Sequence, residues 1–116
     1  MQYALLIYED ESVYRDEDGR AWREIIEAHG AFAGELAEKG LLRGGAGLNT
    51  VDTATTVRKA KGEHTLHDGP FAEAKEQLGG FYLIEVDDLD AALAWARKVP
   101  LGGDGAVEVR PMVDEG

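Results

Sequence analysis

Gly79-Gly80-Phe81-Tyr82-Leu83-Ile84-Glu85-Val86-Asp87-Asp88-Leu89-Asp90-Ala91-Ala92-Leu93-Ala94-Trp95-Ala96-Arg97-Lys98-Val99-Pro100 reads as a strand running into a helix. Over Gly79–Val86, Phe81 and Leu83 fall on one face and Tyr82, Ile84 and Val86 on the other, so both faces are apolar. The period then changes. Asp87 or Asp88 supplies an N-cap and Asp90 an acid in the first turn. Leu89, Ala92, Leu93, Ala96 and Val99 form one helical stripe, Arg97 and Lys98 sit at the negative end of the dipole, and Pro100 ends the run.

The opening of the chain repeats this strand-then-helix order. Tyr3–Tyr8 is a continuous apolar run, with Tyr3, Leu5 and Ile7 set against Ala4, Leu6 and Tyr8. After an acidic loop, Trp22, Ile25, Ile26, His29, Phe32, Ala33, Leu36 and Ala37 recur at three- and four-residue steps, which predicts a helix over 21–39 stopped by Gly40. Between the two units, Leu41–Leu48 reads as a short strand ending in glycines. Ala54–Lys59 and Glu63–His67 read as a hairpin turned at Lys61-Gly62. The last strand is Ala106–Met112. The order is β-α-β, hairpin, β-α-β, an α+β sandwich of ferredoxin-like type in one domain, 1–116. Two helices cover only one face of such a sheet. The second apolar face calls for another cover, and a second copy packed sheet to sheet in a C2 homodimer is the simplest.

Composition narrows the function classes. Across 116 residues there are 12 Lys and Arg against 23 Asp and Glu, a formal charge of −11, and no cysteine. Disulfides, thiolate metal sites and cysteine nucleophiles are excluded. The acidity opposes direct binding to nucleic acid, which wants a basic patch. No apolar run reaches the ~20 residues of a membrane span. The N-terminal segment lacks the basic start of a signal peptide, so a cytoplasmic protein is expected. Much of the acidity falls on outward helix faces and the 9–18 loop, leaving the expected dimer face nearly free of charge. That loop does not fit a calcium loop: with Gly19 at the sixth position, Tyr14 and Ile25 fall where ligands are required.

Asp68-Gly69-Pro70-Phe71-Ala72-Glu73-Ala74-Lys75-Glu76-Gln77-Leu78-Gly79-Gly80-Phe81-Tyr82 resembles the signature of the DGPF-domain proteins of the YCII-related family. The opening Tyr3–Tyr8, Ala54-Thr55-Thr56-Val57-Arg58 and the closing Val107-Glu108-Val109-Arg110-Pro111 fit the same pattern. The resemblance implies a dimeric α+β barrel, in agreement with the two-faced sheet. It also implies an active site built on a His/Asp pair in those members that are enzymes, and an association with extracytoplasmic-function sigma factors in others.

His29 is the outstanding candidate residue. On an apolar stripe its ring nitrogens need partners, and two readings are open: a structural histidine, or a general acid/base facing a pocket. The resemblance favours the second. Asp68 is the natural orienting carboxylate, or simply the cap of an Asx turn, or both. Arg58 can bind a substrate carboxylate. Glu73 and Lys75 can line a pocket mouth or stand in solvent, and Tyr82 can offer a phenol or pack. No metal site is expected, since His64 and His67 at i and i+3 on a strand point to opposite faces. No cofactor is expected either: Gly44-Gly45-Ala46-Gly47 lacks the Lys-Ser/Thr of a P-loop and precedes a strand. The single serine, Ser12, is not in a nucleophile elbow. Two functions follow as expectations. One is a cofactor-free acid/base enzyme or small-molecule binder using His29 and Asp68. The other is a non-catalytic module that meets a sigma factor by charge.

Overall fold

In a computed structural model, described over residues 1–114, six strands and two helices follow in the expected order. They are β1 (Gln2–Glu9), α1 (Arg20–Glu38), β2 (Leu42–Gly47), β3 (Thr55–Ala60), β4 (Glu63–Asp68), β5 (Gln77–Glu85), α2 (Leu89–Ala96) and β6 (Gly105–Pro111). Short 3-10 turns at Glu11–Tyr14 and Val51–Thr53 were not legible beforehand. Asp88 caps α2, its carboxylate accepting the Ala91 N–H at 2.9 Å. Gly40, at φ 72°, ends α1 in a left-handed turn in which the Leu41 N–H reaches back to the Leu36 carbonyl at 2.9 Å.

β2, β5, β1 and β6 form one antiparallel sheet in that order, the ferredoxin-like arrangement. Register explains its two faces. Tyr3 lies opposite Ile84, Leu5 opposite Tyr82 and Ile7 opposite Gly80, and this row meets the helices. Tyr3, Leu5, Ile7, Ile84 and Val86 are buried there against Phe32 and Leu36 of α1 and Ala92 of α2. Burying a side chain such as Leu36 contributes about 1.5–3 kcal/mol.

The opposite row of the sheet, Ala4, Leu6 and Tyr8 on β1 with Phe81 and Leu83 on β5, is only partly covered. This face is less free of charge than expected. On β6, Glu108 and Arg110 fall opposite Leu6 and Ala4, and they form an ion pair at 2.7 Å. Strict alternation along β6 puts Val107 and Val109 inward and forces these two outward.

β3 and β4 form a separate two-stranded sheet. Lys61 and Gly62 both have positive φ, as a two-residue hairpin turn requires. All of β4 and all of β3 except Thr56 are exposed. This arm stretches the molecule: the radius of gyration is 16.0 Å, against about 13 Å for a compact chain of this length.

Candidate functional site

The apolar stripe of α1 does not all enter the core. Ile25, Phe32 and Leu36 are buried, whereas Trp22 and Ile26 stay about half exposed, at 48% and 53%. They face an open cavity of about 750 Å³ between the N-terminal half of α1 and the sheet. The sequence of the sheet makes this space. Gly80 stands inward opposite Ile7, with Gly47 across from it on β2 and Gly45 across from Tyr82, so the floor lacks side chains. Added bulk is not tolerated there: a Cβ at Gly45 would come within 2.6 Å of the Phe81 carbonyl, and one at Gly80 within 2.9 Å of the Ala46 carbonyl.

His29 and Tyr82 stand at the inner wall. The His29 Nδ1 lies 2.8 Å from the Tyr82 hydroxyl, and the rings stack with centroids 5.8 Å apart. Phe32 meets Tyr82 edge-on at 5.0 Å and Trp95 at 6.0 Å, fixing the phenol from behind. Burial pushes the His29 pKa below its ordinary value, opposed by the Glu9 carboxylate and by the Pro100 carbonyl. The ring is therefore neutral at pH 7. A neutral imidazole has one donor and one acceptor. Assigning the ring N–H to the side of the Pro100 carbonyl leaves Nδ1 to accept the Tyr82 hydroxyl. Burial also raises the Tyr82 pKa, so the phenol keeps its proton.

A second polar group lies across the cavity. Glu9 continues the inward row of β1 and is buried, 8% exposed. It accepts the Tyr14 hydroxyl and, at 3.0 Å, the Gly102 N–H. Burial and this carboxylate push the Tyr14 phenol well above its ordinary pKa. Tyr14 also meets Trp22 edge-on at 5.8 Å. Glu11 pairs with Arg15 at 3.0 Å and accepts the Val51 N–H at 3.2 Å, tying the 51–53 turn to the rim. The cavity thus offers an aromatic and aliphatic wall, a neutral imidazole with its phenol, and a carboxylate held by two donors.

Of the residues expected from the sequence, His29 and Tyr82 meet at this cavity and the others do not line it. The group on the His29 ring is Tyr82 rather than Asp68. Asp68 ends β4 on the exposed arm, opposite Thr55, because the hairpin forms a sheet of its own instead of extending the main one. Arg58 is on β3, with its guanidinium 5.2 Å from the centre of the Phe71 ring. Glu73 and Lys75 are exposed in the segment between β4 and β5. Glu9, Tyr14 and Trp22 also line the cavity, and the sequence does not single them out for it. A signal for Glu9 was present, since it stands two positions beyond Ile7 in the Tyr3, Leu5, Ile7 series. Among the described residues no group of three or more His, Asp or Glu is placed to hold a metal ion, and no helix is long and apolar enough to cross a membrane.

A four-stranded antiparallel sheet under two helices, with a histidine and a phenol at an aromatic-walled cavity, defines a ferredoxin-like α+β protein. Comparison with known proteins gives the family. The chain belongs to the YCII-related domain family, whose model matches residues 1–115. It is also similar to an uncharacterized protein of Rhizobium meliloti (strain 1021), R00369, with 42% identity over 97% of this chain and 92% of that protein.

Proposed function

We propose that this protein binds a small, largely apolar organic molecule in the cavity between α1 and the sheet and acts on it, without a cofactor, by acid/base chemistry at His29. The observation that carries the reading is the His29–Tyr82 contact at the wall of a cavity of about 750 Å³, within the range of roughly 300–1,000 Å³ usual for ligand sites. A ligand that draws the Tyr82 hydroxyl to itself meets a phenolic donor and frees a neutral imidazole to take a proton. Glu9 faces it, held in place by the Tyr14 hydroxyl and the Gly102 N–H. Asp68 has no part in this step within one protomer. If it acts, it does so from a partner. The protein works as a homodimer, its half-covered sheet face packed on a second copy. The surface supports this: the single chain exposes 8079 Å², against roughly 6,200 Å² for a compact monomer of its mass.

The experiment is an NMR titration with benzoate, phenol and aniline, following the His29 ring and the Trp22 indole. Saturable shifts at both, lost in His29→Ala but kept in Asp68→Asn, are expected. Shifts absent for all three probes would argue for a second reading, the non-catalytic module. The feature favouring that reading is the net charge of −11, suited to a basic protein such as a sigma factor. A salt-sensitive complex with one would then be sought.

A further inference from the structure

The β3–β4 arm carries apolar side chains where a monomer has no use for them. Val57 and Leu66 lie directly opposite each other on one face of the hairpin, 62% and 75% exposed. An isolated two-stranded hairpin is marginally stable at best in water, and it gains stability by packing on something. At the base of the arm is an apolar groove of about 620 Å³, walled by Tyr8, Leu48, Pro70, Phe71 and Leu78, with Glu76 at its edge. Tyr8 and Leu78 are register partners on the half-covered side of the main sheet, so the groove continues the face already assigned to a second copy.

We infer that the arm of one protomer docks in this groove of the other, Val57 and Leu66 seating against Leu78 and Phe71, with the exchange made twice about the C2 axis. This rests on the dimer reading above and specifies how the dimer is clasped. Three observations favour a second copy as the occupant. The first is charge. Residues 55–68 hold three cations, Arg58, Lys59 and Lys61, against two acids, while the rest of the chain holds nine cations against twenty-one acids. A cationic arm on an anionic body is complementary to another such body. The second is area. The excess of roughly 1,900 Å² over a compact monomer suits a dimer interface, where each partner commonly buries about 800 Å² or more. The third is symmetry: one chain carries both the projection and the groove, as an isologous contact requires. Residues 48–50 and Gln77 wall both this groove and the His29 cavity, so a docked arm also braces the cavity rim.

The chain has no cysteine, which makes cross-linking unambiguous. Leu66→Cys and Leu78→Cys proteins are prepared separately, mixed to exchange subunits and treated with a short bis-maleimide, while wild type is followed by sedimentation. A covalent species of about 25 kDa joining the two variants is expected, from chains of 12.6 kDa. Leu66→Lys, a change at an exposed position, is expected to weaken dimerisation about tenfold or more. A wild-type dimer that yields no mixed cross-link and is unaffected by Leu66→Lys overturns the arm placement and leaves the dimer standing. A wild-type monomer at micromolar concentration overturns both.

Discussion

The His29 Nδ1 and the Tyr82 hydroxyl, 53 positions apart in sequence, stand 2.8 Å from each other and join α1 to the central pair of strands. The contact ties a half-buried ring to the sheet and closes one wall of the cavity. Tyr82→Phe keeps the stacking and removes the hydroxyl. Because a hydrogen bond accepted by the neutral imidazole favours that form, its loss should raise the His29 pKa, read by NMR titration of the ring. Stability should fall by about 0.5–1.5 kcal/mol, measured by urea unfolding. A pKa that stays put would mean that the phenol donates elsewhere.

The depressed pKa of His29 also makes stability depend on pH. In the unfolded chain the ring titrates near its ordinary value of 6.5, while in the folded protein burial delays protonation to lower pH. Between the two values the unfolded state binds more protons, so stability falls as pH drops from 6.5 through the folded pKa. The contribution is fully present above 6.5. His29→Gln, which does not titrate, should flatten this part of the profile. Urea midpoints from pH 8 to pH 5 test it, and parallel curves for both proteins would refute the assignment.

Trp22 and Leu36 share a helical stripe in sequence but have different tasks in the fold. Leu36 is fully buried, and Leu36→Ala should cost about 2–5 kcal/mol. Trp22 is 48% exposed at the cavity, so Trp22→Ala should cost less than half as much while weakening binding of an aromatic probe. Denaturant unfolding beside a probe titration separates the two. Equal stability losses would place Trp22 in the core.

This difference shows what a single sequence can reveal. The continuous apolar run Tyr3–Tyr8, the cap at Asp88, the stop at Gly40 and the Lys61-Gly62 turn are local signals, and each leads to the right element. They sufficed for the ferredoxin-like order. Whether a helical stripe meets a core or a cavity depends instead on what the facing strand presents. Here it presents Gly80 and Gly45, which in the sequence mark only strand ends. The His29 partner was equally hidden. Asp68 suits a histidine chemically, but the pairing of β5 with β1 fixes Tyr82 beneath α1, and that register is not written near either residue. The arm is legible as a hairpin, but its independence from the main sheet is not, since that depends on pairing with distant strands.

Gly102 tests the other side of the cavity. Its N–H meets the Glu9 carboxylate at 3.0 Å and lies 3.1 Å from the Tyr14 hydroxyl, so the loop before β6, β1 and the 11–14 turn share one junction. A Cβ at Gly102 would fall 2.5 Å from the Tyr14 ring. The ring cannot step aside freely, because its hydroxyl is bound to Glu9 and its edge meets Trp22. Gly102→Ala should therefore destabilise by about 1–3 kcal/mol, the usual cost of overpacking. Tyr14→Ala removes the obstacle and a hydrogen bond together, so it is destabilising alone but should absorb most of the Gly102→Ala penalty. In a double-mutant cycle the pair should cost clearly less than the two single changes added. Additive losses would mean that the clash is relieved by moving the 101–104 loop, leaving Tyr14 on Glu9. Trp22 indole shifts would then match wild type in Gly102→Ala, whereas displacement of Tyr14 should move them.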